Sequence, residues 1–181
     1  MKRPSKDQYY LNIAKEVSRR STCTRVNIGS IIVKDDQIIA TGYVGAPRKT
    51  KDCFEHGNCL RDLLKIPHGH RYELCRSVHS EMNAIINAAR AGVSLLGGSI
   101  YVYGELMPKG EIMDATPCFI CKKMIVNAGI DQVITSTKEG KMRKHKMSDW
   151  IKDWRKKDIL DDKHQYGDGV NVSVRGKLKV K

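Results

Sequence analysis

Two short stretches limit what this chain can fold into: His79-Ser80-Glu81 and, further on, Pro117-Cys118-Phe119-Ile120-Cys121. If one imidazole and two thiolates are to share an ion, the chain must bring the heads of two segments together. The first segment carries Ala84, Ile85, Ala88 and Ala89 at helical spacing and stops at Gly92, so it reads as a helix over Ser80–Arg90 with His79 and Glu81 in its opening turn. The second reads as a helix with Pro117 at its first position, running through Met124, Ile125 and Ala128 to Gly129. Cys118 and Cys121 then lie on one face of it. Both ligand groups sit at helix N-termini, whose partial positive charge favours thiolates.

One histidine and two cysteines meet the three-ligand count of a catalytic zinc, with a fourth position left open for water. Two thiolates cancel the charge of Zn²⁺ and weaken it as a Lewis acid. Glu81, two residues from a ligand but not itself one, supplies the remedy as a proton carrier. Taken alone, Cys118 and Cys121 would read equally as a redox pair or half of a structural zinc knuckle, and His79 as a surface histidine. The conjunction of H-x-E and P-C-x-x-C, each opening an apolar helix, favours a nucleobase-deaminase site.

Around this pair the rest of the chain arranges itself. Ser5 and Gln8 form a capping box at the start of a helix carrying Tyr9, Ile13 and Val17 on one face. Ile28–Val33 and Ile38–Thr41 are β-rich runs joined by Asp35 and Asp36, a hairpin. A polar loop follows over 42–78, with a short helix from Leu60 to Lys65. Ser99–Tyr103 and Ile130–Thr135 are further strands. The alternation implies a three-layer α/β/α domain with a central mixed sheet. Residues 138–146 read as a basic linker, and 138–181 as an extension of a catalytic domain spanning 1–137. Within the extension, Ser148 caps a short helix with Trp150, Ile151 and Trp154 as its stripe. Val170, Val172 and Val174, then Leu178 and Val180 beyond Gly176, alternate as a terminal strand or hairpin.

A loop as long as 42–78 needs pinning. Cys23, Cys53, Cys59 and Cys75 lie just before it, within it or near its end. Four thiolates would close a structural zinc site, with His56 able to replace one of them; the alternative is four small buried hydrophobes. His68 and His70 read as solvent-exposed loop residues. No apolar run approaches membrane-spanning length and the N-terminus has no signal-like core, so a cytosolic protein with reduced thiols is expected. The net charge of +13 implies affinity for anions, whether nucleotide phosphates or nucleic acid. Arg20, Arg25, Arg48 and Arg76 are the phosphate-binding candidates nearest the motifs. Nucleic acid as a partner is not expected, its support being the charge and the two tryptophans; binding sensitive to salt would reveal it.

Residues from about Tyr9 to Thr135 resemble the deoxycytidylate deaminase family of the cytidine deaminase superfamily. The resemblance is carried by Ser21-Thr22-Cys23 ahead of Gly29, Gly42-Tyr43 before Gly45-Ala46-Pro47, Glu73-Leu74-Cys75-Arg76, Asn83-Ala84-Ile85 and Asn127-Ala128-Gly129-Ile130, besides the two motifs. It implies a cytidine deaminase-like fold, hydrolysis of dCMP to dUMP and ammonia, a homo-oligomer, and dCTP and dTTP as regulators. It also implies a second zinc held by cysteines like Cys23 and Cys53. Three departures stand out. Val44 occupies the place where the family has an asparagine resembling the one that bonds the sugar or regulator. Ser80 replaces an alanine. Residues 104–115 are an insertion before the cysteines, either a lid or specificity loop or a surface hairpin. Val44, Ser80 and Thr116 are the candidate substrate contacts.

Overall fold

The computed structural model describes residues 3–67 and 70–156, together with the backbone of strands Val170–Ser173 and Lys177–Val180. His68, Val174 and Gly176, each read above, lie outside the described residues.

The first helix, α1 (Lys6–Ser18), starts where expected, with Ser5 Oγ accepting the Gln8 backbone N–H at 3.2 Å. The box is half closed, because the Gln8 side chain donates to Asn12 Oδ1 instead of turning back. Its buried face differs from the one read in the sequence: Tyr10, Leu11, Ala14 and Ser18 are buried, Ile13 and Val17 flank them, and Tyr9 is exposed. The cause is Gly29. A Cβ there would stand 2.3 Å from the Ala14 carbonyl oxygen, so the helix backbone lies directly on the strand at that notch.

Strands β1 (Val26–Lys34) and β2 (Gln37–Tyr43) form the hairpin, and Asp35 and Asp36 take the positive φ of 48° and 63° that a two-residue turn of this hand requires. After the loop, α3 (Ser80–Arg90) leads to β3 (Ser99–Leu106), a short β4 (Glu111–Ile112), α4 (Phe119–Asn127) and β5 (Gln132–Ser136). The short helix α2 spans Leu60–Leu63 within the loop. β1 pairs antiparallel with β2 and β3, and β3 pairs parallel with β5 through the crossover that contains α4. This is the mixed sheet anticipated above. Ile32, Ile100, Val102 and Val133 face α3 and α4, while Ile31, Val33, Tyr101 and Ile134 face α1. The run Ile31-Ile32-Val33 is apolar without interruption because this strand is covered on both faces.

Two expectations change. The linker expected over 138–146 contains β6 (Met142–Lys146), which pairs antiparallel with β5 at the edge of the sheet. Helix α5 (Met147–Lys156) follows it, burying Met147 and packing Trp150 against the core, so the unit built on the sheet continues past residue 137 to Lys156. The insertion at 104–115 lengthens β3 to Leu106 and returns as β4, a hairpin on the central strand. Strands β7 (Val170–Ser173) and β8 (Lys177–Val180) pair with each other, the hairpin read from their alternation.

Candidate active site

Two of the three candidate ligands sit at the caps of their helices, not inside the first turns. His79 is the N-cap of α3 and Cys118 the N-cap of α4, each with extended backbone, which places Pro117 two positions before the first residue of the helix it was expected to open. Cys121 lies in the first turn of α4, fully buried. His79 Nδ1 stands 3.3 Å from Cys118 Sγ and 3.4 Å from Cys121 Sγ. A tetrahedral ion with Zn–S of about 2.3 Å and Zn–N of about 2.0 Å sets N···S near about 3.5 Å, so the spacing and the N/S/S donor set fit zinc. Among the described residues these three form the one set of histidine, cysteine and acidic ligand atoms gathered within 4.8 Å.

The electrostatics suit a metal. A hydrogen bond shared with Cys121, with His79 adding to it, draws the Cys118 thiol down to about 4, whereas that same shared bond and burial push Cys121 up. The pair is biased toward one thiolate, on Cys118, and an ion bound there would displace the proton of Cys121. Burial acts to lower His79, but the Cys118 contact and the charge of Glu81 outweigh it and the net shift is upward.

Glu81 is 5% exposed, and burial raises its pKa, with His79 opposing. Ser80 Oγ donates to Glu81 Oε2 at 3.0 Å and is itself 2.7 Å from Ser30 Oγ, so a buried hydroxyl pair orients the carboxyl. Ser80 thus reaches the site through Glu81. A carboxyl raised by burial and aimed this way beside a candidate metal triad is suited to proton transfer.

These groups open onto a cavity of about 160 Å³ that Val44 and Thr116 also line. Cys23, Cys53, Cys59 and Cys75 line the same cavity, and burial raises the pKa of Cys23 and Cys53. Their sulfurs are not drawn together as tightly as the His79 set. His56, the alternate ligand, is exposed and off the cavity wall, in a turn held by Asp52. Of the four arginines, Arg25 and Arg76 line the cavity. Arg20 is exposed and away from it, while Arg48 borders a neighbouring pocket and donates to Asn87 Oδ1. Proximity in sequence to the motifs did not place these last two.

Three polar lining residues escaped the sequence reading: Arg61, Tyr72 and Asp114. Arg61 is 5% exposed, donates to the Pro67 and His70 carbonyl oxygens at 2.9 and 2.6 Å, and lies over the Tyr72 ring at 4.7 Å. His70 is half-buried, not exposed. Tyr72 stands edge-on to the His79 ring at 5.0 Å. Asp114 enters the wall from the segment after β4. No spacing marks any of them, since the loop geometry that places them has no period.

Comparison with known proteins agrees with this geometry. Residues 4–137 match the model of the cytidine and deoxycytidylate deaminase zinc-binding region. A deoxycytidylate deaminase of Mycobacterium phage D29 is 34% identical over 139 residues, covering 74% of this chain and 96% of the relative. That of Schizosaccharomyces pombe is 33% identical over 135 residues, 75% of this chain, and the chain spans only 38% of that relative's length. The crystal structure of dCMP deaminase from cyanophage S-TIM5 superimposes with a TM-score of 0.54 at 26% identity, covering 75% of this chain and 86% of that one. The same phage enzyme has been solved in complex with dCMP and dUMP.

Proposed function

The chain belongs to the cytidine and deoxycytidylate deaminase zinc-binding family, and from that premise we propose that it hydrolyses the amino group of a cytosine nucleotide, dCMP first, giving dUMP and ammonia. The observation that carries this reading is Glu81: a buried carboxyl with a raised pKa, oriented by Ser80, beside a His79, Cys118 and Cys121 triad at the floor of a cavity.

His79, Cys118 and Cys121 would hold the zinc, which when bound supplies Lewis-acid activation of water. Glu81 accepts a proton from the attacking water, passes it to the ring nitrogen next to C4, and delivers the second proton to the departing amine. Ser80 keeps the carboxyl aimed. Tyr72 packs against His79 and fixes its ring. Arg25 and Arg76 give the cavity the positive wall that a phosphate needs. A second, structural zinc on Cys23, Cys53, Cys59 and Cys75 is part of the proposal, supported by the four thiols facing one cavity. So is a homo-oligomer, supported by the exposed Ile38, Tyr43 and Ile86 of β2 and α3. Response to dCTP and dTTP follows from the resemblance, and a cytoplasmic location from six unpaired cysteines. No helix among the described residues is long and apolar enough to cross a membrane.

The experiment is ammonia release from cytidine, deoxycytidine, CMP, dCMP and dCTP, each with and without dCTP or dTTP. Selective turnover of dCMP is expected. Silence across the panel with the zinc in place would refute the reading.

A further inference from the structure

A nucleotide presents three kinds of group to a site. The base goes to Glu81 and the metal ligands. The phosphate offers only acceptors and is drawn to guanidinium groups. The sugar hydroxyls are donors, and a buried or half-closed site that recognises them needs an acceptor with lone pairs to spare. Val44, 5% exposed and on the cavity wall, offers only methyl groups.

The polar groups lining the cavity are mostly engaged already. Arg25 faces Asp62 at 3.5 Å, Arg76 donates to Asn58, and Arg61 is held by two backbone carbonyls. Ser80 is committed to Ser30 and Glu81. The Thr116 hydroxyl also makes no hydrogen bond among the described residues, but it is a neutral acceptor; Asp114 is a charged one. Its carboxylate accepts one long backbone hydrogen bond, from the Lys138 N–H at 3.3 Å, and among the described residues it has no other hydrogen bond or ion pair. Among the described residues it is also the one carboxylate on the wall besides Glu81. It is carried there by the inserted hairpin, whose return is anchored on both sides: the Met113 N–H donates to the Gly104 carbonyl and the Ala115 N–H to the Ser136 carbonyl, both at 3.0 Å. Neighbours locked into the sheet leave Asp114 a fixed mount. An anion here repels a phosphate and accepts from a hydroxyl.

Building on the nucleotide-deaminase reading, we propose that Asp114 is a specificity residue whose carboxylate accepts a hydrogen bond from the 3′-hydroxyl of the substrate sugar, the polar contact that Val44 does not provide. The insertion at 104–115 then serves to deliver this acceptor to the cavity wall.

The test measures affinity, so that it stands apart from turnover. In a Glu81→Gln protein, which keeps its metal ligands, the affinities for dCMP and for 2′,3′-dideoxycytidine monophosphate are compared by calorimetry, with and without Asp114→Ala, which removes the acceptor altogether. A hydrogen bond to a charged acceptor corresponds to roughly a 10- to 100-fold preference for dCMP, which Asp114→Ala should reduce to within about twofold. Asp114 is exposed, and unchanged zinc content would verify that the variant is folded. A preference that survives Asp114→Ala, or equal weakening of both ligands, overturns the assignment, as does failure of dCMP to bind. If Glu81-competent protein releases no ammonia while the Asp114-dependent preference persists, the catalytic reading fails and this one holds.

Discussion

Gly42 lies on β2 where the strand meets the first turn of α3. A Cβ added there would stand 2.3 Å from the Ser80 carbonyl oxygen and 2.3 Å from the Ala84 nitrogen, against the 3.4 Å at which ordinary contact begins. Those are backbone atoms and cannot rotate away, so in Gly42→Ala the head of α3 must retreat by about 1 Å, the shortfall between these distances. His79 and Glu81 flank Ser80 and would move with it relative to Cys118 and Cys121. Overpacking of this kind costs about 1–3 kcal/mol, and a displacement of about 1 Å at reacting groups costs about 100-fold in rate. Gly42→Ala should therefore lower Tm by about 2–12 °C and kcat/KM for dCMP by about 100-fold, read by thermal unfolding and ammonia release. Gly92→Ala is the control: its φ of +68° strains the backbone, but no atom stands within 4 Å of the added carbon, so stability falls by about 1 kcal/mol with activity unchanged. A Gly42→Ala protein with the parent's Tm and rate would refute the claim that this contact positions the site.

Cys118→Ser should lose the metal at the His79 site and all turnover, checked by zinc content after gel filtration; full zinc and full activity would exclude Cys118 as a ligand. Arg61→Met removes two hydrogen bonds to carbonyls and the cation over Tyr72, so it should destabilise by about 3 kcal/mol and speed proteolysis within residues 60–75. Burial acts to raise the pKa of Asp7, but hydrogen bonds from Lys144 and Tyr101 outweigh it and hold the pKa below its ordinary 3.8. A depressed carboxyl contributes stability above its unfolded pKa and loses it as pH falls through the folded value. Asp7→Asn should thus cost about 1 kcal/mol at neutral pH, with the difference from the parent vanishing as pH falls below the carboxylate range, followed by denaturant unfolding.

How much of this was legible depended on whether position was set by a period. His79, Glu81, Cys118 and Cys121 could be read because fixed spacing at helix heads determines their approach. Asp35 and Asp36 could be read because few residue types accept positive φ there. The contact face of α1 could not, since a glycine notch on β1 decides it, and apolar spacing along the helix carries no trace of that. β6 was hidden by its own chemistry: an edge strand guarded by Arg143, Lys144 and Lys146 shows no apolar alternation. Arg61 and Tyr72 owe their places to backbone carbonyls and ring contacts within an irregular loop, which no pattern in the chain announces.

The most direct measurement of the central claim is the yield of dUMP and ammonia from dCMP by zinc-loaded parent protein beside Glu81→Gln of equal zinc content. The account predicts equal amounts of the two products from the parent and none above background from the variant. Turnover by Glu81→Gln at the parent rate, or none by either protein, would contradict it.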